Sequence, residues 1–196
     1  MFFWASSSSF PFLRKRTPAP LLRFIFVNQL INTKSFMNYL GKTRDELQGT
    51  AYELNTLLAN YHIYYQNLRN FHWNVDGVHF FDIHEKFEEM YNSAQENIDE
   101  IAERILTLRF APLSNMSEYI REASIEEAGK VDEPAKMVEM VLKNHGELIK
   151  NMRRLIEAAD SVDDEGTIDL IGAMLRDKEK ESWMFDAWAA NKLATA

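Results

Sequence analysis

The sequence predicts an all-α chain folded as a four-helix bundle, and three observations carry that expectation. Only 7 Gly and 5 Pro occur in 196 residues, too few for the turns that a sandwich or barrel needs. Apolar residues recur at alternating steps of three and four over segments of roughly 25 residues or more, the period of a helix buried along one face. Between those segments no stretch alternates with the two-residue period of a strand.

The first helix is announced by Thr43-Arg44-Asp45-Glu46, a capping box in which the hydroxyl and the Glu side chain satisfy free N–H groups at a helix start. Leu47, Ala51, Leu54, Leu58, Tyr61, Tyr65, Leu68 and His72 continue as one stripe, and Asn74-Val75-Asp76-Gly77 supplies a turn. A second helix is expected from about His79 to Leu108, with Phe80, Ile83, Phe87, Met90, Ala94, Ile98, Ile101, Ile105 and Leu108 as its stripe and Pro112 beyond its end. Ser114 to Lys130 is turn-rich, with room for a short helix. Pro134 opens a third long helix, because a proline in the first turn lacks only an N–H that had no partner. Met137, Val141, His145, Leu148, Met152, Leu155 and Ala159 form its inner face. After the acidic turn Asp160 to Gly166, a fourth is expected from about Thr167 to Lys192.

Composition excludes several classes of function. The chain has no cysteine, so disulfide scaffolds, thiol catalysis and thiolate metal sites are ruled out. Its length suits one domain. Five of the 22 basic residues, Arg14, Lys15, Arg16, Arg23 and Lys34, lie in the first 36, and no acid precedes Asp45. From Met37 onward 17 basic residues face 30 acidic ones, a charge of −13. Such a body repels a phosphate backbone and attracts cations, so a DNA contact is expected only through the basic arm. Residues 1–36, with the run Ser6 to Ser9 and Pro11, Pro18 and Pro20, read as an arm outside the functional fold, with Met37 the expected start and 37–196 the bundle domain. The best apolar stretch of the arm, Leu21 to Ile31, carries Arg23, Asn28 and Gln29 and falls well short of the roughly 20 apolar residues that a membrane helix requires. No membrane association is expected.

Metal-ligating residues gather on the second helix. His84 and Glu88 stand four apart, as do Asp99 and Glu103, and each pair can converge on one cation. With His84 at zero on an ideal helix, Glu88 falls near 40°, Asp99 near 60° and Glu103 near 100°, so all four share one longitudinal face. Phe81, Ala102 and Leu106 lie in or beside that arc, and a face that mixes apolar residues with potential ligands wants a partner surface. His84 and Asp99 are nevertheless about 22 Å apart along the axis, too far to reach one ion. Either there are two weak sites, or two chains complete one. Antiparallel pairing of this helix across a two-fold axis would set His84 and Glu88 of one chain opposite Asp99 and Glu103 of the other, and His72, leaving the first helix before the turn, could join the His84 side. Imidazole and carboxylate without sulfur suit iron, manganese or zinc. His62, His79 and His145 read as packing or surface residues. No histidine has a Glu three residues before it, which disfavours the Glu-x-x-His sites built inside larger di-iron bundles.

His72-Trp73-Asn74, His84-Glu85 twelve residues on, then Glu88, Asp99 and Glu103 resemble the ferroxidase signature of the Dps family, the miniferritins named for DNA protection in starved cells. The resemblance extends from about Thr43 to Lys192. It implies a ferritin-like four-helix bundle, with a short helix between the second and third long ones, assembled as a hollow dodecamer in the cytoplasm. It also implies an iron site shared across a two-fold interface, to which one subunit brings His72, His84 and Glu88 and its mate brings Asp99 and Glu103. Fe(II) would be oxidised there by hydrogen peroxide, with oxygen a slower oxidant, and ferric mineral stored inside, protecting against oxidative stress. Trp73 matches an aromatic near the site that serves as electron donor or radical quencher, and Asp163, Asp164, Glu165 and Asp169 resemble an acidic stretch that lines entry pores. Glu88 departs from the family, which often has Asp there. The competing expectation is a cage without catalysis that binds divalent metal or packages DNA.

Overall fold

The computed structural model describes residues 37–193, and among these there are five helices and no strand. The arm of residues 1–36 and the last three residues lie outside the described residues. The helices are α1 (Arg44–Asn74), α2 (Phe80–Thr107), the short α3 (Met116–Glu122), α4 (Pro134–Asp160) and α5 (Glu165–Leu193).

Each boundary has a local cause. The Thr43 hydroxyl accepts from the Glu46 N–H at 3.3 Å, while the Glu46 carboxylate accepts from the Thr43 N–H at 2.6 Å, closing the expected capping box. Pro134 occupies the first turn of α4. α5 begins two residues before the expected Thr167, because buried Asp164 caps it by accepting from the Thr167 N–H at 3.3 Å and hydroxyl at 2.7 Å. The α1–α2 turn needs Gly77, whose φ of +88° is strained for any L side chain.

Short turns make α1–α2 and α4–α5 antiparallel hairpins, and α1 also packs on α4. The stripes meet in one core that includes Leu54, Leu58, Phe71, Phe87, Val141 and Leu155, all fully buried. Phe87 ties α2 to both hairpins, with its ring 5.6 Å from Phe71 and 6.4 Å from Phe185. Two buried asparagines of α1 hold the long crossover from α2 to α4. Asn60 accepts from the Ser124 and Ile125 N–H groups at 2.7 and 3.1 Å, and Asn67 accepts from the Ala128 N–H at 2.8 Å. These amides replace the hydrogen bonds that irregular backbone would otherwise lack.

The bundle interior contains a closed polar chain rather than hydrocarbon alone. Lys178 on α5, only 3% exposed, donates to Glu181 at 2.6 Å and to the Tyr64 hydroxyl at 3.3 Å. Ser182 gives its proton to the Lys178 carbonyl at 2.7 Å, so its oxygen accepts from His145 Nδ1–H at 2.9 Å. His145 Nε2 then accepts from the Tyr64 hydroxyl at 2.8 Å, and the ring is neutral. Burial first, and the Lys178 ammonium second, hold this imidazole well below its ordinary range. The depressed value sets the sign of a pH effect. Below about pH 6.5 the unfolded chain takes up a proton that folded His145 refuses, so stability falls with falling pH by up to about 1.4 kcal/mol per unit. His145→Gln should flatten the decline between pH 6.5 and 5 in denaturant unfolding, and an unaltered slope would remove His145 as its cause.

Candidate metal centre

The α1–α2 hairpin brings the last turn of α1 beside the first turn of α2, and so joins two residues twelve apart. The rings of His72 and His84 stack with centroids 3.8 Å apart. His72 Nδ1 lies 2.9 Å from the His84 carbonyl oxygen, and His84 Nδ1 lies 2.8 Å from the His72 carbonyl oxygen. A carbonyl only accepts, so each Nδ1 carries the proton and each Nε2 keeps its lone pair for a ligand. Metal-binding histidines are commonly oriented by such a second hydrogen bond. Here the two backbones perform it reciprocally. The Phe80 ring, stacked 4.8 Å from His84, closes the other side.

Glu88 follows one turn after His84 and is exposed, accepting a hydrogen bond from the Tyr91 hydroxyl at 3.3 Å. Asp99 and Glu103 are exposed farther along the same helix. Among the described residues of one chain, no three His, Asp or Glu side chains converge on a point. Beyond the two pairs, at either end of the same face, apolar side chains are open, with Phe81 82% and Leu106 56% exposed. Trp73 is 60% exposed, with the Arg69 guanidinium 4.6 Å above its ring. Of the four acids around the start of α5, Asp163, Glu165 and Asp169 are exposed, whereas Asp164 is buried against Arg104 in an ion pair.

Tyr91 and Arg69, which no pattern in the sequence singles out, and Tyr65, expected only as part of the α1 stripe, also lie near the histidine pair. The Tyr91 ring stands edge-on to His72 at 5.3 Å and to Tyr65 at 6.1 Å. Desolvation, then the neighbouring Glu88 carboxylate, push its phenol above the ordinary range. The spacing was visible in the chain, since Tyr91 follows Glu88 by three residues, one helical turn. His62 and His79 pack on aromatic rings, 3.8 Å from Tyr119 and 5.6 Å from Trp188.

Residues 52–193 match the family model of the ferritin-like domain. A "DNA protection during starvation protein" of Brevibacillus brevis is 40% identical over 141 residues, covering 72% of this chain and 95% of the relative. The chain belongs to the Dps family. Among solved structures, a Dps protein from Vibrio cholerae, described as a member of a broad superfamily of ferritin-like diiron-carboxylate proteins, superposes with a TM-score of 0.76 at 39% identity. It covers 78% of this chain, which spans 96% of that one. A Dps protein from Bacillus brevis gives a TM-score of 0.72 at 39% identity, covering 75% of this chain and 98% of its own. The Dps fold expected from the sequence, a ferritin-like bundle with a short helix between the second and third long ones, is therefore the fold of this chain. No helix among the described residues is long and apolar enough to cross a membrane.

Proposed function

We propose that this Dps-family chain oxidises Fe(II) at a site completed by two subunits and stores the ferric product inside a hollow oligomer. The observation that carries the reading is the His72–His84 pair, whose Nδ1 atoms are each engaged by the other residue's carbonyl, leaving two Nε2 lone pairs one helical turn before Glu88. Iron is the substrate. His72, His84 and Glu88 bind it from one side, and Asp99 and Glu103 of a second copy close the site from the other. Anionic oxygen ligands favour the more highly charged ferric ion, which eases loss of an electron. Hydrogen peroxide is the preferred oxidant, because two Fe(II) ions oxidised at the site supply one electron each and together reduce it to two waters without releasing hydroxyl radical.

The exposed Phe81 and Leu106 supply the apolar contact of the two-fold interface, and twelve subunits form the shell. Asp163, Glu165 and Asp169 line the cation entry, while Asp164 shapes their turn through Arg104 and Thr167. The charge of −13 from Met37 onward opposes DNA binding by the body, leaving any such contact to the arm.

The test is anaerobic Fe(II) loading of the purified oligomer followed by a peroxide pulse, recorded by stopped-flow absorbance. Fast ferric growth is expected. His84→Ala should slow it more than the roughly 10- to 100-fold typical of losing an outer-shell partner, because a ligand itself is lost. Slow growth equal in both proteins would leave a metal-binding or structural cage instead.

A further inference from the structure

Inside the bundle, away from the ligand face of α2, three helices aim donor atoms at one position, and an ammonium already stands there. Glu181 Oε2 on α5 accepts from Lys178 Nζ at 2.6 Å, and the Tyr64 hydroxyl oxygen on α1 accepts from it at 3.3 Å. His145 on α4 places Nε2 2.8 Å from that same hydroxyl and 3.9 Å from Glu181 Oε2. Tyr64, His145 and Lys178 are at most 3% exposed, while Glu181 keeps a side open to water. Side chains converging from facing helices are the way a bundle builds an interior metal site.

The three acceptors have the chemistry of a divalent-cation site. A carboxylate, a neutral imidazole and a phenolic oxygen are nitrogen and oxygen ligands that suit zinc, cobalt or iron. For metal bonds of about 2.1 Å, the 2.8 and 3.9 Å separations correspond to angles of about 85° and 135° at the ion, which a distorted four- or five-coordinate site accommodates. His145 Nδ1 is already engaged by Ser182 at 2.9 Å, the kind of second hydrogen bond that steadies a metal-binding ring. Charge balances as well. The ammonium and the Tyr64 phenolic proton carry two positive charges between them, and a divalent ion bound by the phenolate would replace both. Ammonium and metal exclude each other, because two cations a few ångströms apart in a dry interior repel strongly and share only one carboxylate.

We propose that Lys178 is the built-in occupant of a divalent-cation site inside each subunit, and that its ammonium keeps metal out of the bundle interior. An ion admitted there would be sealed among core side chains, away from the ligand face of α2. This role of Lys178 does not depend on iron oxidation at that face.

The test is Lys178→Ala, which removes the ammonium and leaves its space open. Parent and variant oligomers are dissociated, reassembled with Co(II) under nitrogen, freed of loose metal, and compared by metal analysis, visible absorption and thermal unfolding. One cobalt per chain beyond the parent's content is expected, with the strong visible bands of a low-symmetry site and a raised unfolding midpoint. Adding His145→Phe or Glu181→Gln to Lys178→Ala should remove the extra ion, whereas adding His84→Ala should leave it in place. If Lys178→Ala folds poorly by itself, cobalt should restore the folded oligomer. Equal cobalt in parent and Lys178→Ala overturns the assignment. So does an extra ion that survives both His145→Phe and Glu181→Gln or is lost with His84→Ala, and so does a Lys178→Ala chain that stays unfolded with cobalt present.

Discussion

Mixed oligomers of His84→Ala and Asp99→Ala chains should recover activity that neither variant has alone. In the proposed two-fold pair, each site would take His72, His84 and Glu88 from one chain and Asp99 and Glu103 from the other. When the pair contains one chain of each variant, one of its sites receives both defects and the other receives none. Random association makes half of the pairs mixed, so about a quarter of all sites should be intact. The measurement is the amplitude of the fast ferric phase after the two variants are dissociated, mixed and reassembled, with subunit exchange verified by mass spectrometry. If verified mixtures stay at the level of the single variants, the ligands do not act across chains. The geometry along α2 makes the expectation sharp: the roughly 22 Å between His84 and Asp99 follows from the rise of the helix, and no side-chain rotation closes it.

Lys178→Met should cost about 3 kcal/mol of stability, the lower end of the range for breaking a buried ion pair. Lys178 is buried, and burial lowers its ammonium from the usual range despite the opposing pull of Glu181. Methionine has nearly the same reach but donates nothing, so Glu181 loses its 2.6 Å partner and Tyr64 loses the donor to its oxygen. The cost stays at the low end because Glu181 is only partly buried and can turn toward water. Removing both charges with Lys178→Met and Glu181→Leu should restore most of the loss, since two apolar residues leave no charge to desolvate. Denaturant unfolding at fixed protein concentration measures both variants. A single variant as stable as the parent would show that the ammonium contributes nothing net, and a double variant worse than the single would show that Glu181 has another essential partner.

This interior network also explains a limit of sequence reading. His145 lies in phase with the apolar stripe of α4, and its packing assignment was legible on that ground. Its partners were not: Tyr64 and Ser182 lie 81 and 37 residues away, on α1 and α5. Helical phase says which residues face inward, but not which of them meet at the same height in the bundle.

The amino-acid sequence by itself determined the four long helices, the capping box that starts α1, the proline that opens α4, and the common face of His84, Glu88, Asp99 and Glu103. These depend on 3.6-residue periodicity, capping chemistry and the rise of one helix, all local quantities. It also determined that the two ligand pairs cannot share an ion within one chain. The start of α5 was misplaced by two residues because Asp164 looks like any acid in an acidic turn until Arg104, 60 residues earlier, is seen to pair with it. Only the tertiary structure decided the orientation of the histidines. The stacking of His72 on His84 and the two crossed Nδ1 bonds depend on the turn between α1 and α2 and on the packing of Phe71 against Phe87. The approach of Tyr91 to His72, and the place of Arg69 over two rings, were decided there as well. Such contacts are set by how two helices pack against each other, and a periodic pattern along one helix carries no information about that.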